Sequence, residues 1–209
     1  PDINTVGLWH MNEIAGAGAY IKDVSGYGNN GTPIGTTYTT DGKLGGARIF
    51  NGTSDRIAQP AGGNVNIAGD ISVEAWVKPT SFTRTGTLVH KDHQYSISIA
   101  ASSGYVAWAD SSNWSYANFG YQNIGLVTGV WQHIAVTKTG GVVSIYLNGV
   151  FKFSKSFGGA ITGTSNIMHI GCYSNVTTCG SAYYSGLIDE VRISNIARTA
   201  DEIRQAYEV

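Results

Sequence analysis

The stretch 131–156, WQHIAVTKTGGVVSIYLNGVFKFSKS, leaves few ways to fold. Asn148-Gly149 is a strong hairpin signal, because both central residues of a type I′ turn need positive φ. Thr139-Gly140-Gly141 joins the preceding pair of strands as tightly. The segment is therefore expected to form a three-stranded meander. The same grammar recurs along the chain. In DISVEAWVKP (70–79), Ile71, Val73, Ala75 and Val77 fall on one face. Ser72, Glu74, Trp76 and Lys78 then lie on the other. Further strands are expected at 5–11, 45–50, 86–91, 94–101, 104–110, 166–172 and 183–194. One helix is expected at the end, in RTADEIRQAYEV. There Thr199 and Glu202 can form a capping box, and Ile203 and Tyr207 share one face. A dozen short strands and a terminal helix predict an all-β domain of two antiparallel sheets packed face to face.

Composition narrows the function classes. Charged residues make up 13% of the 209 residues, against roughly 25% in average domains. Gly, Ser, Thr and Asn replace them, a balance common in extracellular proteins. A net charge of −1 offers no basic field for nucleic acid, and no Lys/Arg cluster favours a membrane surface. The apolar runs fall far short of the roughly 20 residues that cross a bilayer. The opening Pro1-Asp2-Ile3 reads as a domain cut from a longer protein, monomeric as an isolated domain, with residues 1–209 forming a single unit.

Cys172 and Cys179 flank a polar loop, GCYSNVTTCG. A disulfide there would remove about 2.5 kcal/mol of unfolded-state entropy and implies an oxidising compartment. Two free thiols are the alternative. Neither a redox-pair spacing nor partner cysteines for zinc are present.

Several phrases, in order, carry a resemblance: WHMNE, DVSGYGNNGT (23–32), GKLGGARIFNGTSDRI (42–57), ISVEAWVKP, WQHIAVTKTGGVVSIYLNGV and GLIDEVRISNIARTADEI. Together they resemble the laminin-G-like, concanavalin A-like jelly-roll family, over roughly residues 6–207. The resemblance implies a two-sheet antiparallel jelly-roll sandwich with a short C-terminal helix. It also implies a calcium ion near the 23–32 loop. Asp23 would be a ligand, Asn29, Asn30 or Thr32 would add oxygens, and Asp189 of LIDEV would supply a second carboxylate. Calcium accepts six to eight such oxygens. The alternative is that Asp23 and the asparagines only build turns through bonds to nearby backbone.

A ligand surface is expected within 92–121. Trp108, Trp114, Tyr116, Phe119 and Tyr121 are candidate stacking rings for the C–H faces of sugars, and Asp110 and Asn113 can bond to hydroxyls beside them. Tyr173 and Tyr183, in or next to the cysteine loop, are further candidates. Ordinary strand packing competes for each ring. Glu74 and His133 share the off-core parity and form either a structural hydrogen bond or a ligand contact. His90 and His93 can meet on one side only if a turn lies between them. Sequons occur at Asn30, Asn51, Asn113 and Asn175.

Catalytic patterns are missing. The chain has no G-x-S-x-G elbow or phosphate loop. It has no strand with carboxylates paired as a retaining glycosidase needs, and alternation puts Asp189 and Glu190 on opposite faces. The expected function is a non-catalytic, extracellular or cell-surface binding domain that recognises a glycan. The alternative is an adhesion or pilus-head domain that contacts a surface protein without binding sugar.

Overall fold

The computed structural model describes residues 1–175 and 178–209, the side chains at 175 and 178 excepted. The sequon at Asn175 therefore lies outside the described side chains. Among the described residues there are sixteen strands and two helices, in the order β1 Thr5–Trp9, β2 Thr32–Ile34, β3 Thr37–Thr39, β4 Ala47–Asn51, β5 Arg56–Ala58, β6 Ile71–Pro79, β7 Gly86–Lys91, β8 Tyr95–Ile99, β9 Val106–Asp110, α1 Tyr116–Phe119, β10 Gln132–Thr139, β11 Val142–Leu147, β12 Val150–Ser156, β13 Met168–Ile170, β14 Tyr173–Asn175, β15 Thr178–Ser181, β16 Ser185–Ser194 and α2 Ala200–Tyr207.

An eight-stranded sheet runs β12-β11-β10-β6-β16-β4-β3, with β1 also paired to β16. A six-stranded sheet runs β2-β5-β13-β7-β8-β9, and β14 and β15 form a separate hairpin. All named pairs are antiparallel. The expected meander is present. Thr139 pairs with Val142 and Leu147 with Val150. Both two-residue turns have positive φ throughout, at Gly140 and Gly141 and at Asn148 and Gly149, as type I′ geometry demands. A side chain at Gly149 would strike the backbone of Arg204 and the ring of Tyr207, so this turn also seats α2.

The core lies between the sheets. Ile71, Val73, Ala75 and Val77 of β6 face it, alongside Ile134 and Val136 of β10 and Ile188, Val191 and Ile193 of β16. Val89, Ile97, Val106, Trp108 and Ile170 close it from the six-stranded sheet. The opposite face of β6 is covered as well. There α2 packs Ile203 on Ala135 and Tyr146, and Tyr207 stacks on Trp76 at 5.5 Å. The capping box forms as the sequence predicts: Glu202 N–H donates to Thr199 Oγ1, and Thr199 N–H donates to Glu202 Oε2. Just before the cap, buried Arg198 grips both oxygens of Asp2 at 2.6 Å.

One strand departs from simple alternation. A bulge between Asp189 and Arg192 interrupts β16, with Glu190 at φ 49°. Bulges re-aim side chains. Asp189 accepts from the amides of Lys43 and Leu44, while Glu190 meets His10 Nδ1 at 2.7 Å. Asp189 lies opposite outward-facing Trp76 in the ladder, and Trp76 and Glu190 line the same cleft, so the opposite-face expectation for Asp189 and Glu190 fails at the bulge.

Candidate functional site

The 23–32 loop is held by the protein's own donors. Asp23 is buried. Its Oδ1 accepts from the amides of Leu8 and Ser25, and its Oδ2 from Asn29 N and Asn29 Nδ2. An ionised carboxylate has about four lone-pair sites, and all four are engaged. Asn30 Oδ1 accepts from Asp23 N, Asn29 Nδ2 also donates to Val6 O, and Thr32 pairs with Ala58 in the sheet. Asp189 spends its oxygens on Lys43, Leu44 and Glu190 amides. Burial raises its pKa to about 6, against the pull of those amides. Asp23, Asn29, Asn30, Thr32 and Asp189 thus do not present converging open oxygens, and this arrangement does not fit calcium. The loop is closed by a local turn from Asp23 to Ser25 and by longer bonds that tie Asp23 and Asn29 to Leu8 and Val6.

The predicted ligand residues separate into two groups. Trp108 and Asp110 turn inward, because in β9 they share parity with Val106, which faces the core. Trp108 is fully buried and lies parallel to Tyr95. Its indole N–H donates to Asp110 Oδ2. Asp110, also fully buried, receives Lys138 Nζ from β10 at 2.6 Å. Neither is placed to touch a ligand. Phe119 likewise packs in the core, against Phe153 and Phe157.

Trp114, Tyr116 and Tyr173 gather on the outer face of the six-stranded sheet, around His90. The turn required between the two histidines exists at 92–94, where His93 has φ 55°. It lets His93 stack on Trp114 at 5.2 Å and 13°. His90 lies 5.5 Å from Trp114 and 4.4 Å from Tyr173. His90 is buried, and its nitrogens are fixed by Ser96 Oγ and Ser174 O. Tyr116 bonds Ser96 Oγ and Tyr121 bonds Ser98 Oγ, so both rings back the group. Burial pushes the Tyr116 hydroxyl well above its ordinary pKa. Trp114 and Tyr173 remain partly exposed, and the His93 side chain is 64% exposed. Asn113, at the rim, accepts from Asn118 Nδ2. Tyr183 lies apart, donating to Cys179 O and facing an open groove with Arg84.

The shelf is held by the Cys172–Cys179 disulfide, with Cα atoms 5.9 Å apart. It closes the β14–β15 hairpin that carries Tyr173. His169 lies beneath it, with a ring nitrogen within 4.8 Å of the sulfurs. Burial, then the neighbouring His90 and Arg56, lowers its pKa to about 4. The histidines were not predicted as part of the shelf. His90 and Ser96 had a readable signal, since both take the outward parity of their strands.

The sandwich and its strand order define a concanavalin A-like domain, and the comparisons agree. The chain belongs to the concanavalin A-like lectin/glucanases superfamily, whose profile matches residues 51–204. No curated protein matches the sequence. Among solved structures, the chain is similar to domain 4 of AbnA, a GH43 extracellular arabinanase from Geobacillus stearothermophilus, in complex with arabinotriose. That pair shares 27% identity over 97% of both chains, with a TM-score of 0.71. It is also similar to the binding domains of botulinum neurotoxin serotype D and of Paraclostridial Mosquitocidal Protein 1. These share 16% and 17% identity with a TM-score of 0.68 each, over 98% of this chain but only 51% and 52% of theirs. Likeness at that level shows the shared fold. Among the described residues no helix is long and apolar enough to cross a membrane.

Proposed function

We propose that this chain is a non-catalytic carbohydrate-binding domain whose ligand lies on the Trp114–His93–Tyr173 shelf. The observation that carries the reading is the shelf itself: three partly exposed rings fixed around a buried, doubly hydrogen-bonded His90. Such rigid rings with polar groups at the rim match the apolar face and hydroxyl edge of a sugar. The similarity to an arabinanase domain holding arabinotriose supports a pentose oligosaccharide as the first ligand to try. The disulfide supports an extracellular or cell-surface setting. The carboxylates described above are committed to ion pairs and backbone amides, which supports a binding rather than a hydrolytic role.

The test is calorimetric titration with arabinotriose, followed by a wider set of plant and bacterial oligosaccharides. Trp114→Ala is expected to weaken binding by about tenfold or more, equivalent to about 1.4 kcal/mol, with an unchanged melting temperature. Unaltered affinity in Trp114→Ala, or no binding of any oligosaccharide by the wild type, overturns the assignment. The second result would favour contact with a surface protein.

A further inference from the structure

A second cluster lies on the other side of the sandwich, on the outer face of the eight-stranded sheet beside α2. A cleft of about 150 Å³ opens there, walled by Leu8, Leu44 and Trp76 and floored by Glu74, His133 and Arg192. Glu74 and His133 are 2% and 3% exposed. Arg192 Nε and Nη2 both bond Glu74 Oε1, at 2.9 and 2.6 Å. Glu74 Oε2 and His133 Nδ1 are left without a hydrogen-bond partner among the described residues. His133 Nε2 lies 3.5 Å from Glu74 Oε2, outside hydrogen-bonding geometry. Native proteins rarely strand buried polar atoms, and those that do so usually have a reason to. The strained Glu190 at φ 49° borders the same space, and non-glycine residues in that region cluster at functional sites.

We propose that this cleft is a second ligand site, built for one compact neutral polyol of the size of a single sugar ring. Three features select that chemistry. First, the volume is that of about five water molecules, which suits one ring within the cleft. Second, each ionic group beside the cleft already has a partner. Glu74 is paired with Arg192, Glu190 with His10, and Lys43 sits over Trp76 at 4.1 Å. Burial, then Arg192 and Lys43, lowers the His133 pKa to about 3 and keeps the ring neutral. An incoming ion would lose its hydration and would have to compete with these existing contacts for a counter-charge. Third, the polar floor has both signs of hydrogen bond. Glu74 Oε2 can accept, and Arg192 Nη1, without a hydrogen-bond partner among the described residues, can donate. One hydroxyl can accept from Arg192 Nη1, and an adjacent one can donate to Glu74 Oε2 once a small side-chain shift uncovers that oxygen, which is otherwise sealed from solvent. Leu8 and Leu44 are left for the C–H face.

The site stands apart from the shelf, so the two readings can fail separately. The probe is the His133 ring, followed by ¹⁵N NMR of histidine-labelled protein during titration with L-arabinose, D-glucose, sodium sulfate and ammonium chloride. A saturable His133 shift with a sugar is expected, with Kd about millimolar, the range open to so small a ligand. Sulfate and ammonium are expected to leave it unmoved. Glu74→Gln should weaken the response about tenfold. Leu44→Trp, on a loop at the mouth, should abolish it and covers the case in which Glu74→Gln fails to fold. Trp114→Ala should leave it intact. A His133 ring that ignores both sugars, responds to the ions instead, or responds equally in Leu44→Trp overturns the proposal. Loss of the response in Trp114→Ala does so too, because it would trace the signal to the shelf.

Discussion

Lys138→Met tests the reassignment of Asp110 from ligand contact to buried counter-ion. Lys138 Nζ donates to Asp110 Oδ2 at 2.6 Å, Ser112 Oγ at 3.0 Å and Phe157 O at 2.9 Å. Methionine keeps most of the stem's volume, so the cavity contribution is small. What changes is charge: Asp110, fully buried, keeps its bonds from Trp108 Nε1, Ser112 N and Ser112 Oγ but loses its cation. Breaking a buried pair from one side costs about 3–5 kcal/mol, a large part of the roughly 5–15 kcal/mol that holds a domain folded. For a chain of this length each kcal/mol moves Tm by about 2–4 °C, so a fall of roughly 6–20 °C is expected. Adding Asp110→Asn removes the stranded charge and should recover about half of the loss or more. Urea unfolding followed by tryptophan fluorescence measures both, provided the slope stays constant. A single variant within about 1 kcal/mol of wild type, far below the range for buried pairs, or a double variant no better than the single, would refute the reasoning.

Two further outcomes are expected. Asp23→Ala strands the amides of Leu8, Ser25 and Asn29, at about 1–3 kcal/mol for each buried donor. Its lowered melting temperature should be the same in calcium and in a chelator, and a calcium-dependent rise in the wild type that the variant lacks would restore the metal reading. The second concerns acid. His169 is held near pKa 4 against 6.5 when unfolded. Protons therefore prefer the unfolded chain, and the stability this group contributes is complete above about pH 6.5 and lost as pH falls towards 4. His133 acts in the same sense, whereas Asp189, raised to about 6, favours the folded state at low pH. His169→Gln should therefore flatten the pH dependence of unfolding free energy between 6.5 and 4 by about 1.4 kcal/mol per pH unit. Equal slopes in the variant and the wild type would contradict that linkage.

The local parts of the fold were legible. The β6 alternation, the two type I′ turns and the α2 capping box are set by residues adjacent in sequence, whose preferences reach only a few positions. Trp108 and Asp110 were harder, because their environment depends on a partner 28 residues away. A signal existed: Lys138 shares parity with core-facing Ile134 and Val136 of β10, as Asp110 does with Val106 of β9. Two opposite charges at inward positions of different strands call for a buried pair. The short strands β2, β3 and β5 lack enough residues for a period to show. Parity alone sets Glu74 and His133 together on the outer face, but strict alternation carries no sign of the β16 bulge that brings Glu190 beside them.

The grip of Arg198 on Asp2 has a mechanical consequence. It fixes residue 2 beside residue 198, next to the point where Thr5 pairs with Ser194. Force applied at residues 2 and 198 would enter at one corner and pull β1 from β16 end-first. The ladder would then open one bond at a time, as a zipper does, once the Arg198–Asp2 clasp gave way. The meander, the six-stranded sheet and the shelf would carry none of that load. Tension across this corner would therefore leave the rest of the sandwich folded until β1 has peeled away from β16.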